Sequence, residues 1–143
     1  MEGVANLNFF LVDDDNFCLN LYEQHLCNLG AKKIGKFETG YACLEQLVTE
    51  TPDIIFLDHH LPDCSGLEVL DKIKRYNPDI YVVFLTSQEN VQVAVNALKY
   101  GAFDYIMKGD KDLDSMTAVV KKIVHIIETI NEKRPGFWKK FIF

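Results

Sequence analysis

No basic excess marks this chain: 15 lysines and arginines stand against 21 aspartates and glutamates, a formal net charge of -6. A surface built for nucleic acid usually carries the opposite sign. No apolar run approaches the roughly 20 residues needed to cross a bilayer. The N-terminus, Met1-Glu-Gly-Val-Ala5, has no basic segment followed by an apolar stretch, so no signal peptide is expected. None of the four cysteines, Cys18, Cys27, Cys43 and Cys64, falls in a Cys-x-x-Cys pair. That spacing argues against a zinc or disulfide framework and predicts free thiols in a reducing cytoplasm. No internal repeat, low-complexity segment or linker interrupts the first 134 residues. What is there, 48% apolar and 25% charged over 143 residues, suits one soluble domain with a real core.

Apolar runs of strand length alternate with helix-period segments. Residues 7–12, 53–58, 80–85 and 103–107 are nearly continuous apolar runs, as strands buried on both faces read. Residues 32–37 are more charged and suit an edge strand. Between them, Cys18, Leu21, Tyr22, His25, Leu26 and Leu29 share one helical face, with Gly30 as the stop. Thr39 is placed to cap a helix over 40–50, which ends ahead of Pro52. Helix 66–76 turns Leu67, Leu70 and Ile73 inward, and helix 90–100 sets Val91, Ala94, Val95 and Leu98 on one face before Gly101. The last helix, about 112 to 134, carries the stripe Leu113, Met116, Val120, Ile123, Ile127 and Ile130. Asp112 and Asp114 lie at its start, where the helix dipole favours acids. Five strand–helix units joined by right-handed crossovers predict an α/β fold, a doubly wound parallel sheet with helices on both faces.

Five polar residues follow four of the strands. Asp13 and Asp14 come after Val12, Asp58 after Leu57, Thr86 after Leu85 and Lys108 after Met107. In a parallel sheet all of them lie at the carboxyl edge, where open α/β sheets bind ligands.

The strings Val12-Asp-Asp-Asp15, Phe56-Leu-Asp-His-His-Leu-Pro62, Gly66-Leu-Glu-Val-Leu70, Phe84-Leu-Thr-Ser87 and Phe103-Asp-Tyr-Ile-Met-Lys108 occur in this order. Over roughly residues 6–131 the chain resembles the receiver domain of two-component response regulators. The resemblance implies a flavodoxin-like (βα)5 sandwich with strand order 2-1-3-4-5. It implies a receiver domain over 1–134 and phosphorelay signalling rather than substrate turnover. By the resemblance, Asp58 accepts a phosphoryl group from a sensor histidine kinase or a histidine phosphotransfer protein. Mg2+ is then held by Asp13, Asp14, Asp58 and the backbone carbonyl of His60. Thr86 and Lys108 bind the phosphoryl oxygens, Thr86 and Tyr105 form a switch, and His60 and Gln88 tune the phosphoryl lifetime. The switched face is helix 90–100, strand 103–107 and the last helix, which meets a downstream protein or output domain or forms a homodimer.

Elementary chemistry stands beside the resemblance. Crowded carboxylates repel, which raises at least one pKa unless a cation is present. An all-oxygen donor set suits magnesium. A carboxylate is a competent nucleophile toward phosphorus, and phosphoryl transfer needs mainly positioning and charge stabilisation.

Some features leave alternatives. Gly109 follows Lys108 where the family usually has proline after a bond that is commonly cis. Either Lys108 reaches the site by a trans route or its loop is more mobile, since cis before glycine costs about 2.5–4 kcal/mol. His59 and His60 are disfavoured as a metal pair because adjacent side chains diverge. Asp110-x-Asp112-x-Asp114 fails as a calcium loop, with Ser115 and Lys121 where glycine and glutamate are needed. The tail 135–143, Pro-Gly-Phe-Trp-Lys-Lys-Phe-Ile-Phe, reads as a stub folded onto the domain or leading to another, as a docking segment, or as a membrane-surface anchor. Rival functions are a degenerate receiver used only for interaction, and an aspartyl-phosphate phosphohydrolase, which needs an aspartate where His60 stands.

Overall fold

A computed structural model of the chain describes residues 1–87 and 90–133. The predicted tail 135–143 lies outside the described residues. Strands and helices alternate as β1 (Asn8–Val12), α1 (Asn16–Leu29), β2 (Lys33–Phe37), α2 (Gly40–Leu47), β3 (Ile54–Asp58), α3 (Gly66–Tyr76), β4 (Tyr81–Thr86), α4 (Val91–Lys99), β5 (Asp104–Met107) and α5 (Asp112–Glu132). The five strands form one parallel sheet in the order β2-β1-β3-β4-β5, the flavodoxin-like α/β topology expected. Register sets the carboxyl ends level: Val12 lies beside Leu57, Asp58 beside Leu85, and Thr86 beside Met107.

Side chains alternate across a strand, so each run fills two cores. Phe9, Leu11, Ile54, Phe56, Val83, Leu85 and Ile106 face α1 and α5. Phe10, Val12, Ile55, Leu57, Val82 and Phe84 face α2, α3 and α4. The edge strand β2 is only half-buried, as its charges predict.

The helix faces differ from the expected ones in informative ways. On α1 the buried line is Leu19, Tyr22 and Leu26, with Cys18, Leu21 and Leu29 only at its flanks. On α3 Val69 joins Leu70 and Ile73, while Leu67 is half-buried. On α4 the bulky residues are on the wrong side: Ala94 and Ala97 are buried, while Val91, Val95 and Leu98 stand exposed at 52%, 40% and 43%. Two alanines let the helix axis approach the sheet closely, and valines in their place would hold it off. On α5 Val119 and Val124 are buried as well, and Ile130 is exposed. Gly30 ends α1 in the left-handed conformation at φ 110°, where a Cβ is strained. All four cysteines are free.

The N-terminus of α2 is closed from two elements. Thr39 Oγ1 accepts the Ala42 N–H at 3.1 Å, as predicted. Asp63, from the β3–α3 loop, accepts the Gly40 and Tyr41 N–H groups at 3.0 and 2.9 Å. Slight burial pushes the Asp63 carboxyl up, but those two amides outweigh it and hold it below its ordinary 3.8. Asp63→Ala is expected to cost about 1 kcal/mol at pH 7, the usual worth of a cap. A depressed folded pKa makes this contribution present above 3.8 and lost as the pH falls through the lower folded value. Denaturant titrations should therefore separate the two proteins at neutral pH and superimpose them at the acid end.

Candidate functional site

Each functional side chain leaves the end of a strand. Asp13 follows β1, Asp58 closes β3, Thr86 closes β4 and Lys108 follows β5. Asp13, Asp58 and Thr86 are buried at 1%, 5% and 1% exposure, while Asp14 is exposed at the rim. Lys108 Nζ lies 2.8 Å from Asp13 Oδ2 and 2.8 Å from Asp58 Oδ1. The remaining oxygens are also held. The Asp15 N–H donates to Asp13 Oδ1 at 3.0 Å, and the His60 N–H donates to Asp58 Oδ2 at 3.0 Å. Asp15 was not expected to matter, yet its side chain also caps α1 by accepting the Phe17 N–H at 2.9 Å. An aspartate just ahead of a helical run was the available signal.

One ammonium is shared by two buried carboxylates here. Burial would push the Lys108 ammonium down, but the bonds and charges of Asp13 and Asp58 outweigh it and hold it above its ordinary value. Burial pushes the Asp58 carboxyl up and the Asp13 charge adds to this, against the opposing pull of Lys108 and the His60 amide. A simple ion pair would shift the acid down. The upward shift says that burial, with a second acid alongside, outweighs one shared base.

Oxygens of Asp13, Asp14 and Asp58 lie within 4.8 Å of one another. A set of hard oxygen donors with surplus negative charge fits a hard divalent cation such as magnesium and does not fit a soft one. No cis peptide bond occurs among the described residues, so Lys108 reaches the carboxylates by the trans route. Gly66 opens α3 directly behind the acceptor. A Cβ there would lie 2.5 Å from the Asp58 carbonyl oxygen and 2.8 Å from His59 Cα, so only glycine permits this approach.

Other expected residues are placed as follows. The Thr86 hydroxyl donates a long 3.4 Å bond to the Ser87 carbonyl and has no bond to the carboxylates. Tyr105 is registered beside Phe84 and so shares a sheet face with Phe84 and Thr86. It is half-buried and packs on the core beneath α4. His60 is exposed at the mouth, where it forms a bridge with Ser65. The His59 and His60 rings do not diverge: their centroids are 4.8 Å apart, because strand alternation stops at Asp58. Gln88 lies outside the described residues. Asp112 turns into the protein, away from any calcium loop, and bonds Tyr22.

Among the described residues no helix is long and apolar enough to cross a membrane. Residues 9–121 match the response regulator receiver domain family. The chain is 34% identical over 123 residues to the DNA-binding transcriptional regulator NtrC of Klebsiella pneumoniae, across 86% of this chain and 25% of NtrC. It thus spans about a quarter of that curated relative's length. The receiver domain of NtrX from Brucella abortus superposes with a TM-score of 0.77 at 28% identity, over 82% of this chain and 98% of that one. The BeF3-activated receiver domain of DrrB superposes with a TM-score of 0.74 at 29% identity, over 83% and 97%. With its strand order, its acidic pocket and these likenesses together, the chain belongs to the response regulator receiver domain family.

Proposed function

We propose that residues 1–134 form a phosphorylatable receiver of a cytoplasmic two-component phosphorelay, in which Asp58 takes a phosphoryl group from the phosphohistidine of a sensor histidine kinase or histidine phosphotransfer protein. The observation that carries this reading is the shared ammonium of Lys108, 2.8 Å from both Asp13 and Asp58 at the carboxyl edge of the sheet. An Asp58 oxygen attacks phosphorus, the P–N bond breaks, and the donor imidazole leaves with the bonding electrons. No strong base on this chain is needed. Lys108 holds one phosphoryl oxygen of the product and the Thr86 hydroxyl donates to another. Mg2+ held by Asp13, Asp14, Asp58 and the His60 carbonyl would neutralise the acids and the incoming phosphoryl oxygens.

The two new bonds contribute about 1.5–3 kcal/mol each. Inverting a 1:99 equilibrium takes about 5.5 kcal/mol, so together they shift a two-state element most of the way. Tyr105 follows the Thr86 hydroxyl inward and alters the face made by α4, β5 and α5. The exposed Val91, Val95 and Leu98 support that face as the one that meets a downstream protein, an output domain or a second copy. His60, at the mouth, sets together with Gln88 how fast water removes the phosphoryl group. The likeness to DrrB, whose receiver has a BeF3-activated form, supports a switch between two states.

Intact-mass measurement after incubation with magnesium and phosphoramidate or acetyl phosphate tests the reading. One metal-dependent phosphoryl adduct mapped to Asp58 is expected. Turnover of a phosphate ester would instead mark a phosphohydrolase. No adduct at all would mark a receiver that works only by interaction.

A further inference from the structure

A glycine after Lys108 leaves the loop that aims this side chain without a rigid residue, yet it also leaves a backbone N–H that proline lacks. The structure uses it. The Gly109 N–H makes a long 3.5 Å bond to Asp112 Oδ2, and the Asp112 N–H donates back to the Gly109 carbonyl at 3.3 Å. The same Asp112 oxygen accepts the Tyr22 hydroxyl from α1 at 2.9 Å, in a buried bond. On the other side of the loop the Lys108 N–H donates to the Thr86 carbonyl at 2.8 Å. Tyr22 is 1% exposed and Asp112 is 9% exposed, so neither group trades its partner for water. Tyr22 stays a donor: burial pushes its hydroxyl far up, and the Asp112 bond and charge push it further.

We infer that Tyr22 and Asp112 are positioning residues for phosphoryl transfer, a buried hydroxyl–carboxylate anchor that grips the Gly109 amide and thereby aims Lys108 at Asp58. This rests on the receiver reading and adds to it two residues outside the acidic pocket. The anchor takes over in this chain the stiffening that a proline ring gives elsewhere. It also joins α1 to the start of α5, at the end of the helices next to the site. A second tie between these helices, His25 Nε2 to Thr117 Oγ1 at 2.7 Å, lies about one turn further along, and its groups make no hydrogen bond to residues 108–112. It serves as an internal control.

Phosphoramidate labelling kinetics should be measured for the full chain with Tyr22→Phe, Asp112→Ala, Asp112→Asn and Thr117→Ala, beside Mg2+ affinity and melting temperature. Tyr22→Phe and Asp112→Ala are expected to slow labelling about fivefold at unchanged Mg2+ affinity, because only the aim of Lys108 is lost. Asp112→Asn keeps an acceptor oxygen and should recover most of the rate. Thr117→Ala should lose a similar amount of stability and keep its rate. On a Lys108→Met background the Tyr22→Phe effect should vanish, since residues acting through one group are not additive. Wild-type rates in Tyr22→Phe and Asp112→Ala, or an effect that persists on the Lys108→Met background, would overturn the anchor. A wild type that takes no label would overturn the receiver reading instead. Hydrogen exchange of the Gly109 amide, expected to be faster in Tyr22→Phe, then decides the anchor by itself, and unchanged exchange overturns it.

Discussion

Asp58→Asn will take up no phosphoryl group from phosphoramidate, and in EDTA at pH 7 it will melt above the wild type. The first half follows from the loss of the only nucleophile that Lys108 and the His60 amide hold in the pocket. The second half follows from charge. At an effective dielectric of about 20, an acid oxygen within 4.8 Å repels Asp58 by at least about 3.5 kcal/mol, and Lys108 at 2.8 Å attracts it by about 6 kcal/mol. Asp13, buried beside Asp58, supplies that repulsion, while the exposed Asp14 is screened by water. The cost of burial and this repulsion outweigh the pull of Lys108 and the His60 amide, which agrees with the raised Asp58 carboxyl. A raised folded pKa stabilises the fold only below the ordinary 3.8, and the contribution turns to a cost as the pH rises through the folded value. The neutral amide removes that cost, for a gain of about 1 kcal/mol. Magnesium at a hundred times its dissociation constant adds about 2.7 kcal/mol to a protein that binds it. The order of melting temperatures should therefore invert when metal replaces EDTA. A lower melting temperature for Asp58→Asn in EDTA would refute the account of charge crowding, and label on the variant would place the acceptor elsewhere.

The residues at this site were legible because each is a polar interruption at the end of a buried strand. Parallel topology converts four such sequence positions into one edge. The helix faces were less legible. Apolar periodicity finds a stripe but does not say whether the core lies against its large residues or its small ones, so Val91, Val95 and Leu98 on α4 outweighed Ala97 in the sequence, and of the expected face only Ala94 is buried. Leu19 was lost in the same way, among a denser set of apolar neighbours on α1. Least legible were contacts between distant polar groups. Asp63 and Gly40 are 23 residues apart, and Tyr22 and Asp112 are 90 apart. Each aspartate sits beside a turn or a helix start, where local caps are the usual explanation, and only the packed fold gives them a remote partner.

Lys108→Met is expected to slow phosphoryl transfer about a hundredfold, the usual loss when a preorganised charge donor is removed from developing anionic oxygens. The variant also tests what the ammonium does before any phosphoryl group arrives. Without it, Asp13 and Asp58 remain buried with no cation, each keeping a single backbone amide. Removing one partner of a fully buried pair costs about 3–5 kcal/mol, but the Lys108 side chain is 25% exposed, so about 2 kcal/mol is expected in EDTA. Saturating magnesium should restore most of this stability and little of the rate, because a cation between the acids replaces the lysine as counter-charge and does not replace it as a ligand of the phosphoryl group. Lys108→Arg separates the two roles again. Its charge restores stability, while its planar fork does not reproduce a point donor 2.8 Å from two different acids, so the rate stays low. Labelling of Lys108→Met within threefold of the wild-type rate would show that the ammonium serves the fold and not the transfer.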